Sequence, residues 1–143
     1  MNFVLDASVT MCWFFLDGKP AARTYALSVL DAMKQSETSA LVPVTWGLEI
    51  SNVIGKAEIK GLITEAQSGA FIELLGTIDI GVDTATFSKA LSDTLQISRR
   101  HRISAYDASY LELAMREGLP LATLDEDLQK AANKAGLKRF AAK

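Results

Sequence analysis

Four acidic residues of this 143-residue chain stand where a carboxylate has chemistry open to it: Asp6, Glu49, Asp107 and Asp125. The stretch "ISAYDASYLELA", Ile103 to Ala114, shows why. Counting at helical spacing from Asp107 gives Leu111 and then Ala114, so the carboxylate heads an otherwise apolar stripe. Aspartate is rarely fully buried unless it is paired or bound to a metal. Glu49 repeats the pattern, with Trp46 and Val53 on its side of a helix at offsets of three and four. Asp6 closes the apolar run "FVL", and Asp125 directly follows "LPLATL". Carboxylates without a His or Cys partner suit a hard ion, Mg²⁺ or Mn²⁺, rather than zinc. Such a site can generate a hydroxide nucleophile and neutralise a five-coordinate phosphate without a general-base histidine.

Each acid also has a plain structural use. Asp6 or Ser8 could cap a helix beginning near Val9, Asp125 could cap one starting at Glu126, and Glu49 could pair with a neighbouring Lys or Arg. Ser104 followed by Asp107 resembles a capping box. What favours the joint reading is the placement that the elements impose.

Short apolar runs alternate with longer segments of helical period. The runs lie at 3–5, 40–44, 78–82, 119–124 and 137–141. Helices are expected at Ser8–Leu16, Ala21–Gln35, Thr45–Lys60, Thr64–Leu75, Ser88–His101, Ser104–Glu117 and Glu126–Ala135. Runs this short and apolar suit strands buried on both faces, and the alternation predicts an α/β fold with a parallel sheet between helices. Ligands of open parallel sheets bind at the carboxyl ends of the strands, and all four acids fall there. Like charges held close repel unless a cation or a shared proton relieves them.

The bulk numbers fit one soluble domain, 1–143. Hydrophobic residues make up 49% and charged residues 22%, and 15 basic against 17 acidic residues leave a net charge of -2. That sum neither marks nor excludes a nucleic-acid binder. Cys12 is the only cysteine, so an intrachain disulfide is ruled out. No run is long enough to cross a bilayer and "MNFVLDASV" carries no basic leader, so the expectation is a cytoplasmic protein without membrane contact. The basic run "SRRHR" places Arg99, Arg100 and Arg102 just before the Asp107 helix, where they could hold nucleic-acid phosphates or simply complement a helix end. His101, in the same run, belongs to no visible nucleophilic triad.

In order and spacing, "VLDASV", "VPVTWGLEISNVI", "ISAYDASYLELA" and "LATLDEDL" resemble the acidic motifs of PIN-domain ribonucleases, most closely the VapC-like toxins of toxin–antitoxin pairs. The likeness runs to about Leu137. It implies a three-layer α/β/α sandwich with a central parallel sheet, and Mg²⁺- or Mn²⁺-dependent cleavage of single-stranded RNA. Asp6, Glu49, Asp107 and Asp125 match the acidic quartet, with Asp6 and Asp107 the pair most directly tied to the metal. Ser8 and Thr123 match polar positions where a hydroxyl orients a carboxylate or a metal-bound water. "LDEDL" leaves Asp127 as the alternative fourth acid. The resemblance further implies a homodimer and a cognate antitoxin, for which "MCWFF" and the stretch 64–75 are candidate contacts.

Two other readings remain open at this stage. An aspartyl-phosphate enzyme acting through Asp6 is disfavoured by "DAS" where "DxD" is wanted. A non-catalytic RNA- or protein-binding module is disfavoured by the retention of four acids, which repel RNA. A P-loop is excluded, since Ile50 stands where its first glycine is required.

Overall fold

The computed structural model describes residues 2–142. Four short strands, β1 (Asn2–Leu5), β2 (Ser39–Val42), β3 (Ile80–Val82) and β4 (Leu121–Ala122), form one parallel sheet in the order β3-β2-β1-β4. The helices are α1 (Ala7–Phe15), α2 (Pro20–Met33), α3 (Trp46–Ile59), α4 (Glu65–Leu75), α5 (Thr86–Lys89), α6 (Leu95–His101), α7 (Ala105–Glu117) and α8 (Glu126–Lys134).

The period-2 alternation of β1 builds the two halves of the core. Phe3 and Leu5 join Val9, Trp13, Val29 and Ile50 on one face, while Val4 joins Tyr110, Leu111, Leu121 and Leu128 on the other. Phe3, Val4 and Leu5 are all fully buried, which is why the run reads as continuously apolar. Helices cover both faces, giving the expected three-layer α/β/α sandwich. The stop and restart expected near "KGLIT" is present. Gly61 adopts φ 72°, and Thr64 and Gln67 cap α4 reciprocally at 3.1 and 2.9 Å.

Three expectations need correction. The run 137–141 is not a strand but a single parallel bridge, Leu121 to Arg139. Its partner β4 has only two residues, too few to carry a ladder. Phe140 still ties the segment down, its amide donating to Leu121 O at 2.9 Å and its ring stacking on Phe3 at 3.9 Å. The helix expected from Ser88 begins at Thr86, and a π-helical turn, Ala90–Thr94, separates α5 from α6. Such a turn holds an extra residue that helical periodicity cannot reveal. Finally, Met11, Cys12 and Trp13 of "MCWFF" are buried in the chain's own core, so most of that run is not a surface for partners. No helix among the described residues is long and apolar enough to cross a membrane.

Because Phe140 is buried against the central strand, Phe140→Ala is expected to destabilise the fold by roughly 3–5 kcal/mol. The shift in urea midpoint measures it, and a loss below about 1 kcal/mol would mean that the C-terminal segment adds little to the core.

Candidate active site

The parallel pairing of β1 with β4 sets the geometry. Register Leu5↔Ala122 brings the next residues of the two strands, Asp6 and Thr123, together at the carboxyl edge. The Asp6 amide donates to Ala122 O at 2.9 Å, which fixes its backbone there. Thr123 Oγ1 donates to Asp6 Oδ2 at 2.8 Å, and Ser8 Oγ donates to the same oxygen at 2.5 Å. Each hydroxyl is itself oriented by a backbone amide, Leu124 N–H to Ser8 at 2.9 Å and Asp125 N–H to Thr123 at 3.0 Å. Neither hydroxyl bonds Oδ1. Although Asp6 stands at the N-cap of α1, it makes no capping hydrogen bond. With 4% exposure, burial pushes its carboxyl above the ordinary range; the two hydroxyls oppose that shift and the charge of Asp125 adds to it.

The other acids arrive from helix starts. Asp107 sits half-buried in the first turn of α7, where the Ser104 hydroxyl accepts its amide at 3.0 Å. Leu111 and Ala114 on its stripe are fully buried, as helical spacing predicts. Burial, and then the charges of Asp125 and Asp6, raise Asp107 to about 6. Glu49 lies in the first turn of α3 and accepts from the Tyr110 hydroxyl at 2.9 Å. Burial raises it to about 7, against the Tyr110 hydrogen bond and with help from the charges of Asp6 and Asp107. Asp125 does cap α8, accepting from Leu128 N–H at 2.9 Å.

Asp6, Glu49, Asp107 and Asp125 all line one cleft of about 650 Å³, together with Ser8, Asp17, Glu126 and Lys19. Thr123 lies beneath it. The structure separates the remaining candidates. Asp127 lines a neighbouring depression instead, beside Arg102. Arg100 lines a groove with Glu112 and Arg116, and Arg99 is exposed on α6; none of the three arginines lines the acidic cleft. The apolar company of Glu49 is also different from expectation, since Val53 is 40% exposed and forms cleft wall rather than core. Sequence reading missed Tyr110, although it lies one helical step beyond Asp107. It also missed Asp17 and Lys19, which a loop delivers without any periodic signal.

Residues 3–134 match the model of the PIN domain family. The chain belongs to the PIN-domain family. It is 24% identical to Ribonuclease VapC3 of Pyrobaculum aerophilum over 128 residues, 90% of this chain and 92% of that protein. In fold it is similar to the crystal structure of PAE2754 from Pyrobaculum aerophilum. That likeness has a TM-score of 0.64 at 23% identity and covers 92% of this chain and 79% of that one.

The donors of this PIN domain suit a hard cation. Apart from the buried sulfurs of Met11 and Cys12 and the Lys19 amine, the groups able to ligate in the cleft are oxygens. Among the described residues no group of three acidic, His or Cys side chains is placed to hold a metal ion. A magnesium-type ion does not require one, because it keeps several waters and takes one or two carboxylates. Burial is the main reason that Asp6, Asp107 and Glu49 are raised, and the repulsion among the acids that adds to it is the charge such an ion would offset.

These upward shifts have a measurable consequence. Glu49 and Asp107 bind protons more tightly in the folded metal-free protein than in the unfolded chain. Their contribution to stability is complete below the ordinary carboxylate range and lost as pH rises through about 6 and about 7. In EDTA the melting temperature is therefore expected to fall between about pH 5 and about pH 8. Asp107→Asn should raise it by a few degrees at the upper pH and flatten the profile. A marked drop in melting temperature for Asp107→Asn would show that its carboxylate serves the helix start instead.

Proposed function

We propose that this chain is a Mg²⁺- or Mn²⁺-dependent endoribonuclease that cuts single-stranded RNA as the toxin of a toxin–antitoxin pair. The observation that carries the reading is the convergence of Asp6, Glu49, Asp107 and Asp125 on one cleft at the carboxyl edge of the sheet. The likeness to a protein named as a VapC ribonuclease supports both the reaction and the toxin role.

Asp6 and Asp107 would hold the ion, with Glu49 and Asp125 beside them. When bound, the ion would supply Lewis-acid polarisation of a phosphate and activation of a water. The chain's own groups do the rest. Ser8 and Thr123 keep Asp6 in one orientation by occupying Oδ2. Glu49, raised to about 7, can take up a proton near neutral pH, and the Tyr110 hydroxyl fixes the carboxylate that receives it. Lys19, the base lining the cleft, is placed to meet a phosphate oxygen.

The same reading makes the protein a cytoplasmic homodimer with a cognate antitoxin as partner. Phe87 and Leu91, 88% and 89% exposed, support self-association because large apolar side chains so far into solvent gain from being covered. Phe87→Glu with Leu91→Glu is expected to turn the dimer into a monomer in sedimentation velocity while leaving the fold intact. A wild type that is already monomeric at micromolar concentration refutes the dimer.

The decisive experiment is cleavage of a single-stranded RNA by wild type, Asp6→Ala and Thr123→Val, each with Mg²⁺, Mn²⁺ or EDTA. Cutting should need the metal, vanish in Asp6→Ala and fall roughly 10–100-fold in Thr123→Val, the usual effect of removing a hydrogen bond behind a metal ligand. Metal-independent cutting, or full activity in Asp6→Ala, would falsify the proposal.

A further inference from the structure

Beside the acidic cleft lies a depression of opposite character. It encloses about 250 Å³ and is lined by His101, Arg102, Ile103, Asp127, Lys130 and Lys134. Three permanent cations face one carboxylate. Among the described residues none of Arg102, Lys130 or Lys134 forms an ion pair; most Lys and Arg share that, and what sets these three apart is that they line one hollow. Unneutralised cations gathered around one hollow call for an anion.

The backbone adds a second observation. Arg102 ends α6 in the left-handed conformation, φ 54° and ψ 44°, with its amide bonded to Ser98 O. Four other left-handed positions, at Gly18, Gly61, Gly118 and Gly136, use glycine, and Leu16 is the other exception. Glycine closes a helix in this way without steric cost. What arginine adds at this position is its side chain.

The placement relative to the acids is the third. Asp127, Lys130 and Lys134 follow helical spacing along one face of α8, whose N-cap, Asp125, lines the acidic cleft. At about 1.5 Å per residue, Lys130 and Lys134 lie roughly 7–8 Å and roughly 13–14 Å along the axis from Asp125. One helix therefore runs from the acids into the basic hollow.

We infer that Arg102, Lys130 and Lys134 form a phosphate track that grips the backbone of the RNA strand as it leaves the acidic cleft. The inference rests on the ribonuclease reading and names a substrate contact next to its site. No Phe, Tyr or Trp lines the hollow, and His101 is the one ring there on which a base could stack. Contacts to phosphate alone position a strand and carry no sequence preference. RNA suits the pair of sites better than an acidic peptide does, because a strand also brings the phosphate that the acids and their ion would engage.

The test uses the full chain and a fluorescent single-stranded RNA. Affinity is read by anisotropy in EDTA over a series of salt concentrations, and cleavage is assayed separately with Mn²⁺. The variants are Arg102→Gly, Lys130→Gln with Lys134→Gln, and, as a control, Lys56→Gln with Lys60→Gln at the C-terminal end of α3. Each lost phosphate contact should reduce the slope of log affinity against log salt by about 0.7, hence by about 1.4 for the double variant, with no change in the control. Arg102→Gly should weaken binding while its melting temperature holds or rises.

If wild type binds and cuts RNA but the salt slopes of the Arg102 and Lys130/Lys134 variants match it, the track is refuted and the ribonuclease reading stands. If the slopes fall as expected but nothing is cut with metal, the track stands and the ribonuclease reading fails. Absence of RNA binding by the wild type refutes the track. So does a polyglutamate probe that binds the hollow more tightly than RNA, or an Arg102→Gly variant that loses stability without losing affinity.

Discussion

The structure turns on one costly placement, a carboxylate buried at the end of its central strand. Asp6 is enclosed because β1 is flanked on both sides in the sheet and covered on both faces by helices. Burial of a lone charge is unfavourable unless hydrogen bonds or a counter-charge answer it. Two hydroxyls provide part of that answer, and the parallel register of β1 with β4 is what delivers Thr123 to the right atom. The remainder is left open. Asp107, Glu49 and Asp125 bring more negative charge rather than less, so the fold holds its acids in mutual opposition.

Asp83 shows that this is not a general property of strand ends. It follows β3 at the same edge and is almost as buried as Asp6. Burial raises its carboxyl, but hydrogen bonds from Arg116 and Thr86 outweigh that and leave it below the ordinary range. Arg116 reaches Asp83 at 2.7 Å and also holds Glu112 at 2.9 Å, so two buried acids share one internal cation. The contrast between Asp83 and Asp6 separates an acid that serves the fold from one kept available for something from outside. An acid with its own arginine is neutralised within the fold; an acid whose neighbours are other acids is not.

Much of this was legible in the sequence, and the reasons differ by element. Strands buried on both faces announce themselves as short apolar runs, and helix starts announce themselves through Thr64, Ser104 and Asp125, whose side chains do cap. The acidic quartet was legible because strand ends and first helical turns are positions that topology alone brings together. Three kinds of feature were hidden. The π turn at Ala90–Thr94 shifts phase without a characteristic residue. Lys19 and Asp17 enter the cleft on a loop whose path depends on tertiary packing. The division of the basic run was hidden because adjacent residues on a helix point in different directions. Arg100 turns toward the Glu112–Arg116 groove, while Arg102, past the helix end, turns toward α8.

That divergence bears on the net charge of -2, which describes no surface of the molecule. Six acids and one lysine line the cleft, and three cations with one acid line the hollow beside it. A uniformly basic face would hold RNA well but would neutralise the carboxylates that a metal ion requires. A uniformly acidic one would bind the ion and repel the strand. Placing the two fields at different points along α8 puts roughly 7–14 Å of helix between Asp125 and the two lysines, about a Debye length, so solvent and salt weaken their mutual neutralisation. The near-zero sum is the trace of that division, and it explains why composition alone is silent about the chemistry.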